Sequence, residues 1–280
     1  QILQRVFVKF PNFFAGGFMD SHNTTWIATV TGTGTTWTFS IVKEIFNRKK
    51  LNVLPKEVYK SEKGYFKVFK ENALLDRNER NHYVLQCHAK LALHLIQARS
   101  KVITNVRNPY DNCASHYEFM KCDVEKAIRN GMHIPLLIQH YTKLSKEKMF
   151  LLKYEDIDEK PVDLIERISR FLGIEIAGET AKKLADKYSR ENVRKIIAKN
   201  DKLVSDKILA GGKVLDREMV ITPGSNTIGS FDTTTGYQSR HISGRKTGEW
   251  RTAFSDSQIK RIIEALDETA VMLGYRSEKV

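Results

Sequence analysis

The sequence has no apolar run long enough to span a bilayer. Its longest apolar stretches, such as Phe13 to Met19 and Val102 to Val106, fall far short of the roughly 18 to 20 residues that a spanning helix needs, so no membrane partner is expected. Proline is scarce, at 6 of 280 residues, and 41% of the chain is hydrophobic, which excludes a low-complexity or disordered chain and allows one large core. The three cysteines, Cys87, Cys113 and Cys122, are odd in number and lack C-x-x-C spacing, which argues against a zinc ribbon or a disulfide framework. Free thiols in a reducing, cytoplasmic setting are expected instead. No G-x-x-x-x-G-K-[ST] loop occurs, no cluster has metal-ligand spacing, and no internal repeat is found.

Charge of one sign is in excess. The formal net charge is +13 with a pI near 9.5, which implies anionic company: nucleic acid, a sulfated polymer or a phosphate-rich small molecule. Part of the excess is ordinary solvated surface, such as Arg48-Lys49-Lys50 at a helix end, where cations suit the helix dipole. Nucleic acid is not expected, because basic residues interleaved with exposed aromatics and known reader motifs are both missing.

Thr25 to Thr31 reads as a strand, followed at once by the turn Gly32-Thr33-Gly34 and by Trp37, Ile41 and Ile45 at helical spacing. Tyr83 to Cys87, Lys101 to Val106 and Phe150 to Tyr154 read as further buried strands. Val162 to Leu172, closed by Gly173, and Gln258 to Leu273, closed by Gly274, read as helices, the second opened by Ser255 and Gln258 at capping-box spacing. Strands alternating with helices predict an α/β fold with a central, mainly parallel sheet flanked by helices. A single domain over residues 1–280 is expected, with a segment of about 1–24 at its start and a long covering loop over about 205–247. Within that loop Pro223 to Gly244 is rich in Thr, Ser and Gly.

Two motifs carry chemistry. In Thr31-Gly32-Thr33-Gly34-Thr35-Thr36-Trp37 the glycines let several N–H groups turn toward one point, a helix N-terminus adds positive potential, and hydroxyls add donors, which together make a P-loop-like phosphate cradle. Arg107-Asn108-Pro109-Tyr110-Asp111 follows a strand end, where ligands of open parallel sheets collect, and an arginine there can clamp a phosphate. Ser115, eight residues after Arg107, is placed by the following helix to return toward the same anion.

With these motifs in this order the chain resembles the family of sulfotransferases that use 3'-phosphoadenosine-5'-phosphosulfate (PAPS), from about Thr25 to Phe254. Thr33, Gly34, Thr35, Thr36 and Trp37 resemble the family's 5'-phosphosulfate loop, and Arg107 with Ser115 its 3'-phosphate motif. Lys153-Tyr154-Glu155-Asp156, and the Phe171-Leu172-Gly173 helix end after it, are similar to a Y-E-D segment whose tyrosine lies near the nucleotide. Gly244-Arg245-Lys246-Thr247-Gly248-Glu249-Trp250 resembles a late basic loop, which implies binding roles for Arg245, Lys246 and Gly248. The segment Tyr188-Ser189-Arg190 falls where the family stacks adenine; there Ser189 is a candidate for the 3'-phosphate and Arg190 for the stacking. His88, after the strand ending at Cys87, stands in the place of the catalytic base.

Two departures stand out. The family's loop lysine aligns with Gly32, and the lysine before its histidine aligns with Gln86. Lys90, Lys246, Arg245 or another basic residue is then expected to supply the charge. The resemblance implies sulfuryl transfer from PAPS, with the nucleotide PAP as product, to a small-molecule acceptor, without a metal. Acceptor choice is expected to lie in loops at Phe7 to Phe18, Tyr65 to Arg80, and Gly131 to Tyr141 or Pro223 to Gly244. A nucleotide kinase of related architecture and a non-catalytic polyanion-binding relative are the alternatives, the first disfavoured by the absent G-K-[ST]. Oligomeric state is not legible.

Overall fold

The structure is a computed structural model that describes residues 23–73, 80–88, 90–91, 93, 96, 100–222 and 227–279. Five strands, β1 (Asn23–Ala28), β2 (Asn52–Leu54), β3 (Asn81–Cys87), β4 (Ser100–Val106) and β5 (Met149–Lys153), form one sheet in the order β2-β3-β1-β4-β5, and every pair in it is parallel. The central strands are apolar on both faces, with Ile27, Val84, Leu85, Val102 and Ile103 fully buried, because helices cover both sides. The strand order changes direction between β1 and β4, so the crevice beyond their C-terminal ends is where a ligand is expected to collect.

Nine helices are described: α1 (Thr35–Arg48), α2 (Glu62–Ala73), α3 (Pro109–Met120), α4 (Val124–Tyr141), α5 (Asp156–Glu159), α6 (Pro161–Leu172), α7 (Gly178–Lys187), α8 (Arg190–Leu209) and α9 (Asp256–Met272). Gly173 and Gly274 follow α6 and α9 at φ of 76° and 79°, the left-handed conformation expected after a helix. Ser255 opens α9 by donating its amide to Gln258 Oε1 at 3.0 Å. No helix among the described residues is long and apolar enough to cross a membrane.

Three expectations change. Gly131 to Tyr141 is not a loop but the second half of α4, held by buried Ile134, Leu137 and Tyr141 at helical spacing. The stretch from 205 to 247 is not loop throughout. It begins in α8 and contains an antiparallel hairpin, β6 (Met219–Ile221) with β7 (Ile228–Ser230), extended by the bridge Phe231↔Gln238. Its few apolar residues pair across strands, Ile221 with Ile228, so spacing within either short strand is too brief to show a period. Of the expected acceptor loops, Phe7 to Phe18 lies outside the described residues, as do residues 74–79 and 223–226. The first residues of Tyr65 to Arg80 belong to α2.

A second apolar cluster joins α3, α4 and α9 through Tyr110, Ile128, Ile262 and Leu266. Trp250 stacks on Tyr110 with ring centroids 4.9 Å apart and 16° between planes. The late basic loop is thereby fastened to the strand end that carries Arg107.

Candidate active site

The cradle is built by the turn between β1 and α1. Gly32 and Gly34 adopt φ of 83° and 90°, values open to glycine at little cost. Four side chains from other elements hold the turn's carbonyls outward. Asn112 Nδ2 and Asn130 Nδ2 donate to Thr31 O at 2.8 and 3.0 Å, Arg107 Nη1 to Gly32 O at 2.6 Å, and Asn105 Nδ2 to Thr33 O at 2.8 Å. Since N–H and C=O oppose each other across a trans peptide, anchoring these carbonyls turns the amides of Gly32, Thr33 and Gly34 the other way. Those amides make no hydrogen bond among the described residues. At the start of α1 the cap is Gly34, with no side-chain bond to the first turn and no acidic residue there, so the helix also presents free donors.

Parallel register brings His88 to this cradle. Ala28 pairs with Cys87, and one residue further on the Thr29 amide donates to Cys87 O at 3.0 Å. His88 Nδ1 then lies 2.9 Å from Thr29 O. A carbonyl only accepts, so Nδ1 carries the proton and Nε2 keeps its lone pair. Glu62, at the start of α2, accepts from the His88 amide and ties the loop from the other side.

The arginine arrives from β4. Arg107 is 7% exposed, its guanidinium carbon lies 4.0 Å from the centre of the Tyr154 ring, and its Nη2 makes no hydrogen bond among the described residues. A largely buried guanidinium with Nη2 unspent can donate to an anion in the crevice. A Cβ on Gly32 would stand 3.5 Å from Ser115 Oγ, which puts the serine beside the same turn. A Cβ on Gly34 would meet the Tyr154 ring at 3.1 Å. The two motifs and the Y-E-D segment are therefore in contact.

These parts enclose a cavity of about 530 Å³. Of the residues expected from sequence, Gly34, Thr35, Thr36, Trp37, Arg107, Ser115, Tyr154 and His88 line it. Five do not. Thr33 is fully buried with its hydroxyl on Val30 O at 2.7 Å, and contributes only its amide. Ser189 caps α8, accepting from the Asn192 amide at 3.3 Å. Arg245, Lys246 and Gly248 stand behind the rim. The Gly248 amide donates to Asp111 Oδ2 at 2.8 Å, the Lys246 amide donates to Glu249 Oε2 at 2.9 Å, and Arg245 is ion-paired with Glu118. Burial and the neighbouring Arg107 charge lower the Arg245 guanidinium below its ordinary value, a sign of cations gathered near one place.

Glu118 holds the loop in other ways too. Its Oε2 accepts from Ser243 Oγ at 3.3 Å and its carbonyl from Arg240 Nη2 at 2.6 Å. Arg190 lines the cavity, but its edge is occupied: Nε lies 3.1 Å from Asp158 Oδ2, Nη1 donates to Arg245 O at 3.0 Å and Nη2 to Tyr154 OH at 3.2 Å. The cations expected to substitute for the missing lysines, Lys90, Lys246 and Arg245, do not line the cavity; Lys60, Lys121 and Arg240, which the sequence did not single out, do.

Sequence reasoning missed the asparagine braces, Lys60, and the pair His116 and His241, which also line the cavity. Asn105 carried a signal: an amide inside an apolar strand must find partners when buried. His241 had none, since it lies in a loop whose path depends on distant contacts. One is Ser40 Oγ donating to Thr235 O at 3.3 Å, and another is the Val58 amide donating to Thr233 O at 2.6 Å.

The fold is shared with known structures. Retinol dehydratase, in complex with androsterone and the inactive cofactor PAP, is 16% identical over 92% of this chain and 83% of its own, with a TM-score of 0.54. Mouse sulfotransferase SULT7A1, complexed with PAP, is 13% identical over 90% of this chain and 87% of its own, with a TM-score of 0.52. No curated protein matches the chain in sequence. The family model of the sulfotransferase domain matches residues 22–273, nearly the whole sequence including every element of the cradle, the arginine strand end and the His88 loop, and the chain therefore belongs to the sulfotransferase family.

Proposed function

We propose that the chain transfers a sulfuryl group from PAPS to a hydroxyl or amine of a small-molecule acceptor, which is chemistry of the 2.8.2 enzyme class. The observation that carries this reading is the meeting of three things at one cavity: a cradle of amides, an arginine Nη2 and a histidine Nε2, all without a hydrogen-bond partner among the described residues. The residues fit the nucleotide. The amides near Gly34, with Thr35 and Thr36, would hold the 5'-phosphate, Arg107 and Ser115 the 3'-phosphate, and Tyr154 packs under Arg107. Arg245, Lys246 and Gly248 are assigned to the loop that closes on the 3'-phosphate side, and Ser189 to the cap of the helix that carries Arg190. PAP in the two structural neighbours supports the donor, and androsterone in one of them supports a small-molecule acceptor.

When bound, PAPS supplies the electrophilic sulfur and a phosphate leaving group. His88 Nε2 takes the proton of the acceptor as its oxygen or nitrogen bonds to sulfur, while the bond between sulfur and the 5'-phosphate oxygen breaks. The cradle amides take up the negative charge that gathers on the departing phosphate, without reorganising. His88 suits this task because the Thr29 carbonyl fixes the tautomer that leaves Nε2 open.

The test is calorimetric titration of PAP into wild type and Arg107→Ala, with adenosine 5'-monophosphate as control. Micromolar binding that requires the 3'-phosphate and is lost in the variant is expected, followed by loss of turnover in His88→Ala with PAP affinity retained. No PAP binding to wild type overturns the reading.

A further inference from the structure

Three histidines line the cavity, and only His88 has a role in the chemistry described above. His116 on α3 is 8% exposed, and its Nδ1 is buried without a partner; the Nδ1 of His241, in the loop after β7, is likewise buried and unpartnered among the described residues. The ring nitrogen left to meet a ligand is Nε2 in both. A buried N–H with no acceptor is costlier than a buried lone pair with no donor, so in the neutral ring the proton belongs on Nε2. Both rings are neutral at pH 7, because burial lowers each to about 4, with the Lys126 charge a lesser contribution at His116. His241 is further fixed by stacking on Phe119, with centroids 5.4 Å apart and 19° between planes, and by an edge contact with Tyr237 at 6.1 Å.

This end of the cavity therefore offers one accepting nitrogen, His88 Nε2, in company with two N–H donors. The reacting hydroxyl gives its proton to His88 and its lone pair to sulfur, so it cannot also satisfy both donors. We propose that His116 and His241 select a polyhydroxylated acceptor, a sugar-like or polyol ring with an oxygen beside the reacting hydroxyl, over an apolar alcohol. An apolar acceptor would shut two donors away from water without partners. A site built to hydrogen-bond a group discriminates strongly against an analogue that lacks it. Phe119 and Tyr237 line the same cavity. This inference rests on the assignment of His88 as base and of the cradle as nucleotide site.

The test compares cyclohexanol with cis-cyclohexane-1,2-diol, which differ by one hydroxyl, for binding to the PAP-saturated protein by ligand-observed NMR. The diol is expected to bind at least about tenfold more tightly. That preference is expected to fall to about threefold or less in His116→Leu and in His241→Leu, and to survive in His116→Gln, whose amide keeps an N–H near the position of Nε2. Equal binding of the two alcohols, a preference that survives both leucine variants, or binding of neither overturns the proposal. PAP affinity is read separately on each variant. If PAP itself fails to bind, the nucleotide reading falls, and the same comparison on the free protein still decides whether the histidines discriminate.

Discussion

Gly34 and Gly173 sit at nearly the same left-handed φ, 90° and 76°, but only one of them touches the candidate site. Replacing either by alanine forces an L side chain into a conformation that costs about 1–2 kcal/mol. For a domain of this size that lowers Tm by about 2–8 °C, at roughly 2–4 °C per kcal/mol. At Gly173 the new Cβ meets nothing within 4 Å, whereas at Gly34 it would stand 2.8 Å from Ile157 Cδ1 and 3.1 Å from the Tyr154 ring. The isoleucine end can turn aside, but the tyrosine lies against the Arg107 guanidinium, so its displacement is transmitted to the arginine. Differential scanning fluorimetry should therefore show a loss for Gly34→Ala at least as large as that for Gly173→Ala. Calorimetry should show PAP affinity weakened about tenfold or more in Gly34→Ala alone, equivalent to about 1.4 kcal/mol. Wild-type PAP affinity in Gly34→Ala, or an equal affinity loss in Gly173→Ala, would refute the link between the cradle's backbone conformation and the arginine.

Burial lowers His116 and His241 to about 4, while an unfolded imidazole titrates near 6.5. The unfolded chain thus binds more protons below pH 6.5, and the stability these rings allow is complete above pH 6.5 and lost as pH falls toward 4. His116→Leu should flatten the dependence of Tm on pH across that window, and an unchanged slope would show the ring to be solvated. Glu118→Gln removes the carboxylate that pairs with Arg245; because this glutamate side chain is 41% exposed, the gain in PAP affinity should be at most about fivefold. It should fade at high salt, and an affinity that does not rise would mean that Glu118 and the nucleotide do not compete for the arginine.

Much of the fold was legible because its signals are local. Val102 and Ile103 are apolar on both faces of a central strand, Gly173 and Gly274 close helices, and the Gly32 turn interrupts a strand-to-helix switch; each is a short-range consequence of backbone sterics and burial. Arg107 was placed at the cavity for a related reason, since it follows a strand that ends where a parallel sheet opens its crevice, whereas His88, which lines the same cavity, was singled out by the family resemblance. Ser189 was read less well. A serine before a charged helical stretch has the signature of a cap as much as of a phosphate ligand, and its hydroxyl is spent on Asn192.

By itself, then, the sequence determined the class of fold and marked out candidates for anion binding and proton acceptance, because both follow from neighbours within a few positions. Tertiary structure alone decided how those residues meet. The register of β1 against β3 sets His88 on Thr29 across 59 residues, and Asn105, Asn112 and Asn130 orient a loop 72 to 99 positions away. The fold of the loop after β7 brings His241 to the cavity that His88 and His116 line. These relations depend on close packing and hydrogen-bond satisfaction between distant segments, which no spacing along the chain encodes.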